Sequence, residues 1–463
     1  MTAAASRLRW VAALAALSAV AVAAGYLVSA GYGMFALMAV GLPALTFVLI
    51  TYPEAALILA ILLMLTVPSW AWVGVEQASV ARIAALGALG AALLYARKVR
   101  LNHLDGAFAA FILVALVTWQ LGPHESDSEK VLFNSLLPAA FYLAARVLPV
   151  SKRSKALWAV LAGGAIGAAT VIYELQVGHV VFLDPELYAW NQTTSTIFRP
   201  GGIFGSPPGA ATTLGIAALA SVPLFRRSGS KSRALVLPLV ALIVFAIALT
   251  YTRGGILGLA TGTGLYLWLT RSRWAVPVPL LCGTVAVATA VLLLLPQIDQ
   301  SPLIQQGLLR SGTFAHRESL WELAIPIATT DARSILVGKG AFITLSGEYG
   351  GSIPAELGSA QDLIEQGTHN QYVLHFLEQG LLGLGALVAW LGLTFLRGLR
   401  LARRSSERVA AALTAALLSF SITLTVGNGL LHSPSFALAA FVSGLIASAS
   451  LSGGGQPSRE PVA

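Results

Sequence analysis

The sequence predicts an all-α, polytopic membrane protein with about 14 transmembrane helices, and three observations support this fold class. First, 56% of the 463 residues are hydrophobic and 11% are charged, whereas soluble domains are about 25% charged. Second, apolar runs of about 20 residues recur along the chain, which is the length that crosses a bilayer core. These runs lack the apolar–polar alternation of barrel strands. Third, the basic residues concentrate in alternate loops, as the positive-inside rule requires.

The same composition excludes other classes of protein. The apolar content is too high for a disordered chain, and the sequence has no collagen-like Gly-X-Y repeat. Cys282 is the only cysteine and lies inside an apolar run, so we expect neither disulfide bonds nor thiolate zinc sites. Because no carboxylate cluster has metal-ligand spacing, we expect no metal and no cofactor.

The predicted spans follow the apolar runs in chain order. They are 10–30, 34–50, 55–72, 80–96, 104–121, 131–148, 156–175, 209–225, 234–251, 254–270, 275–296, 371–396, 409–426 and 436–451. We expect residues 1–30 to be a retained helix rather than a cleaved signal peptide, because the run is long and another span follows directly.

The charges set the orientation of these spans. If the N-terminus is cytoplasmic, 21 of the 29 basic residues fall in cytoplasmic loops or at their edges. The net charge of +9 is therefore a topology signal, and we expect no nucleic-acid partner. Both termini are predicted to be cytoplasmic, and a few arginines remain on the opposite, outer side.

The spans and loops predict a single transmembrane domain, residues 1–463, with one long outer loop at 297–370 and a disordered cytoplasmic tail at 452–463. Within the loop, residues 314–327 have helical character, with Arg317, Leu320, Trp321 and Ala324 on one face. This short helix lies at the membrane surface or presents Arg317 to a cavity at membrane level, and the two arrangements are compatible.

Two further arginines lie at the outer boundary. Arg253 stands between two spans with almost no loop, where it either snorkels to the headgroups or is a placed guanidinium. We favour the second, because Gly254, Gly258 and Gly262 form a small-residue stripe that permits close helix packing. Arg199 precedes a turn rich in proline and glycine. This turn is either purely structural or an anion site that combines the arginine with the N–H groups of the next helix N-terminus.

The helix that follows the long loop carries two more polar candidates. His369 lies where the loop enters the helix, where a lone histidine is either structural or a general base. Glu378 lies about two turns into the helix, and a carboxylate inside a membrane helix indicates a functional site with a partner. His375, three residues away, is one candidate partner, and the arginines are the others.

These residue types together suggest a site for an anionic lipid headgroup on the outer side. Arg199, Arg253 and Arg317 are the candidate ligands, and diphosphate is the natural candidate anion. Guanidinium groups bind phosphate oxygens bidentately and neutralise a leaving diphosphate without a metal. His369, placed beside an acceptor hydroxyl, is a candidate general base.

The chain resembles the bacterial O-antigen ligase and O-antigen polymerase superfamily over roughly residues 198–390 and in its overall hydropathy. The motifs that carry the resemblance are HNQY at 369–372, EQGLLG at 378–383, TRGG at 252–255, Arg317 with Trp321, and GKG at 338–340. The TRGG motif is similar to the family's Ser-Arg-Gly element, with Thr in place of Ser. One departure is the Ser-Pro-Pro at 206–208, where the family often has Asn-Pro-Asn.

The resemblance implies a GT-C-like fold in the bacterial inner membrane, with the long loop and the active site on the periplasmic side. It implies an inverting, metal-independent glycosyltransferase that transfers a glycan from undecaprenyl diphosphate to an acceptor hydroxyl on a glycan or a lipid-linked glycan. Arg199, Arg253 and Arg317 would bind the diphosphate, and His369 would activate the hydroxyl. Glu378 would orient an arginine or a helix.

Two alternatives follow. Within the superfamily, a ligase, as in lipopolysaccharide biosynthesis, and a polymerase of surface polysaccharide repeat units are both compatible with the motifs. From another class, a lipid-linked oligosaccharide flippase also has many helices. Such transporters commonly have repeat-related halves around a central cavity. The flippase is disfavoured, because the informative charges of this chain lie at one face and the long loop breaks any halving.

Overall fold

The computed structural model describes residues 53–67, 87, 90, 101–121, 128–182, 198–227, 230–270, 312–340, 368–405, 408–427 and 433–449. The predicted spans 10–30, 34–50 and 275–296, nearly all of 80–96, and the predicted tail 452–463 lie outside these residues. The described helices are α1 (Pro53–Thr66), α2 (His103–Leu121), α3 (Ser128–Val147), α4 (Val150–Val177), α5 (Pro207–Ser221), α6 (Leu224–Arg227), α7 (Ser230–Leu249), α8 (Arg253–Thr270), α9 (Gly312–Ala328), α10 (Ala332–Val337), α11 (Gln371–Ser405), α12 (Arg408–Thr423) and α13 (Ser433–Ala449).

All regular structure in these ranges is helical, which confirms the predicted all-α class. Among the described residues, three helices are long and apolar enough to cross a membrane, His103–Leu121, Val150–Val177 and Gln371–Arg403. The remaining apolar helices in this part of the chain are shorter. The apolar helices indicate a membrane protein, and the total of about 14 spans stays a prediction.

Helix α5 lies at the centre of the described helices. It packs on α4, α7, α8, α12 and α13, and every residue from Gly209 to Ser221 is buried. Its sequence consists mainly of glycine, alanine and threonine, whose small side chains let neighbouring helices approach closely. The hydroxyls of Thr212, Thr213 and Ser221 donate to carbonyl oxygens one turn earlier in the same helix, so burial leaves them satisfied.

The predicted small-residue stripe of α8 packs against α12. A Cβ added to Gly258 would lie 2.7 Å from the carbonyl oxygen of Ser419, and one added to Gly262 would lie 2.7 Å from that of Ala415. Both distances are too short for a carbon, so the two helix backbones can approach this closely only where α8 has glycine. The close packing predicted for the helix that begins at Arg253 is confirmed.

Helix α11 is broken at Gly380, which has φ 61° and ψ −160°. The ring of Phe111 on α2 stacks at 5.7 Å on His375 and at 5.2 Å on Trp390, although a straight helix would separate two such residues by roughly 22 Å. The span predicted at 371–396 therefore lies within an apolar helix of sufficient length, but this helix is broken rather than straight. The first half-helix, residues 371–379, turns away from the long second half.

Candidate functional site

Arg199 lies directly before the turn that leads into α5. Its side chain joins this turn to the C-terminus of α7. Its Nε donates to the carbonyl oxygen of Thr250 at 3.2 Å, and its Nη2 donates to the carbonyl oxygen of Tyr251 at 3.3 Å and to Oγ1 of Thr252 at 3.1 Å. A cation is favourable at this end of a helix, because the helix dipole is negative there. Arg199 is thereby held directly beside the residue that precedes Arg253.

Glu174, which sequence reasoning did not single out, holds the other side of the same turn. Its side chain is fully buried near the end of α4. Its Oε2 accepts the backbone N–H groups of Gly201 at 3.0 Å and Gly202 at 2.7 Å. Its Oε1 accepts those of Val181 at 3.0 Å and Phe182 at 3.1 Å. Two charge-assisted hydrogen bonds thus fix the backbone immediately after the arginine, and two more hold the segment that follows α4.

The backbone part of the predicted anion site at this turn is therefore wrong. The glycine N–H groups are occupied by the carboxylate just described. At the N-terminus of α5, Pro207 and Pro208 carry no N–H, and Ser206 accepts the N–H of Gly209 through its hydroxyl at 3.1 Å and that of Ala210 through its carbonyl at 2.9 Å. The backbone N–H groups that the sequence predicted as ligands for an anion therefore donate to oxygens of the chain itself.

The structure brings the three candidate arginines together, and we call Arg199, Arg253 and Arg317 the arginine cluster. Burial lowers the pKa of Arg199, and the nearby positive charges of Arg317 and Arg253 lower it further, to about 10. Burial and the charge of Arg253 also lower the pKa of Arg317. In the described ranges, the charged groups that shift these two pKa values are all arginines.

The residues of the cluster come from three separate elements: the turn that leads into α5, the first residue of α8 and the first part of α9. A pKa of about 10 still leaves Arg199 protonated at neutral pH. Like charges that are held together and partly buried repel one another, and an anion between them would offset that repulsion. The arrangement can therefore bind a multiply charged phosphate group through its guanidinium groups.

His369 occupies a constrained backbone position next to the cluster. Among the described non-glycine residues, only Tyr251 (φ 51°) and His369 (φ 49°) have a positive φ, and both lie at this site. Directly after the histidine, Asn370 caps α11, because its Oδ1 accepts the N–H of Tyr372 at 3.0 Å. Strained backbone of this kind persists where surrounding contacts impose it, and it is concentrated at functional sites.

Two contacts link the His369 segment to the elements that carry the arginines. The indole Nε1 of Trp321 donates to the carbonyl oxygen of Thr368 at 2.8 Å, and Arg317 lies one turn earlier on the same helix. On the other side, the N–H of Gln371 donates to the carbonyl oxygen of Leu424 at 2.9 Å. The same stretch after α12 meets the start of α8, where a Cβ added to Gly254 would collide with Val426.

Helix α9 confirms the helix predicted at 314–327. Leu320, Ala324 and Ala328 are fully buried and pack with Leu377 of α11, while Trp321 packs beside them. The apolar face of α9 thus lies on the half-helix that follows His369. Arg317 on this helix lies close enough to Arg199 for its charge to lower the pKa of that residue, and the position of α9 at the membrane surface stays a prediction.

Glu378 is buried, 1% exposed, near the end of this half-helix. His375, one of its candidate partners, is engaged elsewhere, because Nδ1 of His375 bonds to Nε2 of Gln371 at 3.0 Å and its ring stacks on Phe111. The role predicted for Glu378 itself stays a prediction.

The first half of α11 is joined by backbone hydrogen bonds to the segment after α10. The N–H groups of Lys339 and Gly340 donate to the carbonyl oxygens of Leu377 and Glu378 at 3.0 Å and 2.9 Å. These carbonyls lie in the last turn before the break, so they have lost their partners within the helix. The GKG and EQG motifs, far apart in the sequence, meet here.

Two glycines interlock at this junction. Gly338 has φ 79° and Gly380 has φ 61°, a left-handed region that favours glycine. A Cβ on Gly338 would collide with the backbone of Glu378, and a Cβ on Gly380 would collide with the backbone of Leu336. Glycine is therefore required at both positions.

The fold and the site define an α-helical membrane protein whose described helix ends converge on a positively charged cluster beside a histidine. The family model described as O-antigen ligase matches residues 238–388. This match, over part of the chain, supports the superfamily indicated by the sequence motifs, and that family implies a glycosyltransferase-type enzyme. It includes Arg253, Arg317, His369 and Glu378 but not Arg199. No curated protein matches the chain.

Proposed function

We propose that the protein is a glycosyltransferase of the bacterial inner membrane that transfers a glycan from undecaprenyl diphosphate to an acceptor hydroxyl at the periplasmic face. The acceptor is a lipid-linked core glycan if the protein is a ligase, and another lipid-linked repeat unit if it is a polymerase. Both termini lie in the cytoplasm, and the long loop that contains α9 and α10 lies in the periplasm.

The observation that supports this proposal most is the arginine cluster. The positive charges of Arg253 and Arg317 oppose protonation of the partly buried Arg199, an arrangement that costs free energy. A diphosphate carries the opposite charge and presents several oxygens to guanidinium groups, so its binding would offset this cost. A neutral ligand would not.

In the proposed step, the acceptor oxygen attacks the anomeric carbon of the donor sugar. The bond from that carbon to the diphosphate oxygen breaks, and undecaprenyl diphosphate leaves with the electron pair. The guanidinium groups of Arg199, Arg253 and Arg317 stabilise the charge that develops on the leaving group. His369 accepts the proton of the hydroxyl and later releases it to water. Attack opposite the leaving group inverts the anomeric configuration.

The contacts around His369 support its assignment as the base. Trp321 connects its segment to the helix of Arg317, and Gln371 connects it to the stretch that meets the start of α8. A base on this segment is therefore held relative to the arginines by rigid elements, as general-base catalysis requires. We assign Glu378, which is buried, as a positioning residue for the half-helix rather than a group that touches the diphosphate.

The experiment that tests the proposal uses the purified protein in liposomes with radiolabelled undecaprenyl diphosphate-linked glycan, a choice of acceptors, and EDTA. We expect a new glycosidic bond and one released undecaprenyl diphosphate per bond. Which acceptor is elongated separates ligase from polymerase. Movement of the labelled lipid across the bilayer without a new bond would contradict the proposal and would identify a flippase.

A further inference from the structure

A polar pocket lies apart from the arginine cluster, between the C-terminal end of α2 and α10. It has a volume of about 550 Å³, within the range of pockets that hold small ligands. None of the three cluster arginines lines it. The lining residues are Thr118, Leu121, Asp331, Arg333, Ser334, Val337, Gly338 and Lys339.

Hydrogen bonds hold the charged walls of this pocket in place. Asp331 caps α10 by accepting the N–H of Ser334 at 2.8 Å, and its other oxygen accepts the hydroxyl of the same serine at 2.6 Å. Lys339 donates to Asp331 at 3.4 Å. Nη2 of Arg333 donates to the carbonyl oxygen of Leu121 at 2.9 Å, at the end of α2. The pocket therefore presents its polar groups in a fixed arrangement.

Backbone hydrogen bonds connect the pocket to the half-helix that follows the candidate catalytic histidine. Two of its lining residues, Gly338 and Lys339, belong to the junction with the last turn of the half-helix 371–379. The first residue of that half-helix comes two positions after His369. A ligand in the pocket would thus be held at a defined place relative to the histidine.

We propose that this pocket binds sugar residues of a substrate glycan, a proposal that rests on the proposed function. Two cations, one carboxylate and two hydroxyls offer donors and acceptors side by side, as a polyhydroxylated ligand requires. A phosphate is a poorer fit, because Lys339 already pairs with Asp331 and Arg333 is the one further cation among the described lining residues. The arginine cluster and the pocket then divide the substrates by chemistry: diphosphate at the first, sugar hydroxyls at the second.

The test measures two ligands on the same detergent-purified protein. One is the oligosaccharide released by mild acid from the lipid-linked donor, and the other is inorganic pyrophosphate as the probe of the arginine cluster. For the double variant Arg333→Ala/Lys339→Ala, we expect oligosaccharide binding to weaken by about tenfold or more, because hydrogen bonds to charged groups are lost. Pyrophosphate binding should stay within about twofold of wild type. Arg253→Ala should show the opposite pattern.

Two further variants complete the test, one that fills the pocket and one that lies outside it. Val337→Trp would fill the pocket without changing a charge and should also weaken oligosaccharide binding. Thr329→Ala is the matched control: its exposed hydroxyl donates to Ile325 of its own helix and does not line the pocket, so this variant should bind both ligands normally.

Unchanged oligosaccharide binding in both pocket variants would overturn the proposal. Parallel loss of oligosaccharide and pyrophosphate would overturn it too, since the pocket would then not be a separate site. Failure of the proposed function gives a different result: wild-type protein would bind the oligosaccharide, and the pocket variants would not, while no protein formed a glycosidic bond.

Discussion

His369 holds a left-handed conformation that costs a residue with a Cβ about 1 kcal/mol or more. Its neighbours Thr368 and Asn370 are tied to Trp321 and to the start of α11, which imposes this conformation. The backbone of the histidine is thus held through the contacts of its two neighbours. This arrangement suits a group that must move a proton at a defined point.

We expect His369→Ala to lower the turnover of bound donor by about 10²- to 10⁴-fold, the contribution typical of a general base. Pyrophosphate affinity should change little, because the arginines remain. Single-turnover kinetics with radiolabelled donor measures the first quantity, and equilibrium binding measures the second. His179→Ala, an exposed histidine at the end of α4, is the matched control. Loss of donor binding with normal turnover of the bound donor would show that the base is elsewhere.

The lowered pKa of Arg199 predicts a pH dependence of anion binding. The arginine carries its charge below a pKa of about 10 and loses it above that value. Because Arg199 stays protonated between about pH 7 and 9, it should not change pyrophosphate affinity over that range. The affinity should fall as the pH rises through about 10. Arg199→Lys, measured in parallel, should bind more weakly throughout, because lysine lacks the planar fork that donates to Thr250, Tyr251 and Thr252 and places the charge. Affinity that stays constant to pH 11 would contradict the assignment.

At the scale of single elements, the turn after α4 depends on one buried carboxylate. Glu174→Gln keeps the side-chain size but leaves a single oxygen for four N–H donors. Each buried donor without an acceptor costs about 1–3 kcal/mol, so we expect a lower melting temperature. Because this turn carries Arg199, pyrophosphate affinity should also fall by about tenfold. Glu322→Gln, on the exposed face of α9, should change neither quantity, and normal binding by Glu174→Gln would refute the role of the turn.

The break in α11 makes a second prediction for an element. Gly380→Ala forces a Cβ against the backbone of Leu336 in a left-handed conformation, so the half-helix that follows His369 must shift. We expect kcat to fall by about tenfold or more, since small misplacements of a catalytic group are costly. Pyrophosphate binding should be retained. Gly385→Ala is the matched control, because a Cβ there meets nothing within 4 Å. Equal activity of the two variants would show that the junction does not position the base.

At the scale of the whole molecule, the site lies at one end of the described helix bundle. The C-terminal ends of α7 and α12 and the N-terminal ends of α8 and α11 meet there. At the opposite end of the same helices, the guanidinium of Arg403 lies 5.1 Å from the ring of Trp268. Arg403, which the sequence predicts to be cytoplasmic, and the arginine cluster therefore lie at opposite ends of these helices.

Much of this arrangement could be predicted from local sequence. Apolar runs predicted the helices, since burial in lipid or protein requires their length and composition. The few arginines that lie outside the predicted cytoplasmic loops predicted the cluster. The break at Gly380 could not be predicted, because it depends on contact with Gly338, 42 positions earlier. Glu174 was also missed. A charged residue near the end of an apolar run resembles an interfacial anchor, and its partners at 181–182 and 201–202 are brought to it only by the fold.

The central claim is that the arginine cluster stabilises a leaving diphosphate during glycan transfer. It is tested most directly by counting undecaprenyl diphosphate released per glycosidic bond by purified wild-type protein and by Arg253→Ala. We predict one released molecule per bond for wild type. Arg253→Ala should make less than about 1% of that product, with normal protein level and folding, because an oxyanion-stabilising donor is worth about 10²- to 10³-fold. Arg403→Ala, at the opposite end of the bundle, should behave as wild type. Near-normal product from Arg253→Ala would contradict the claim.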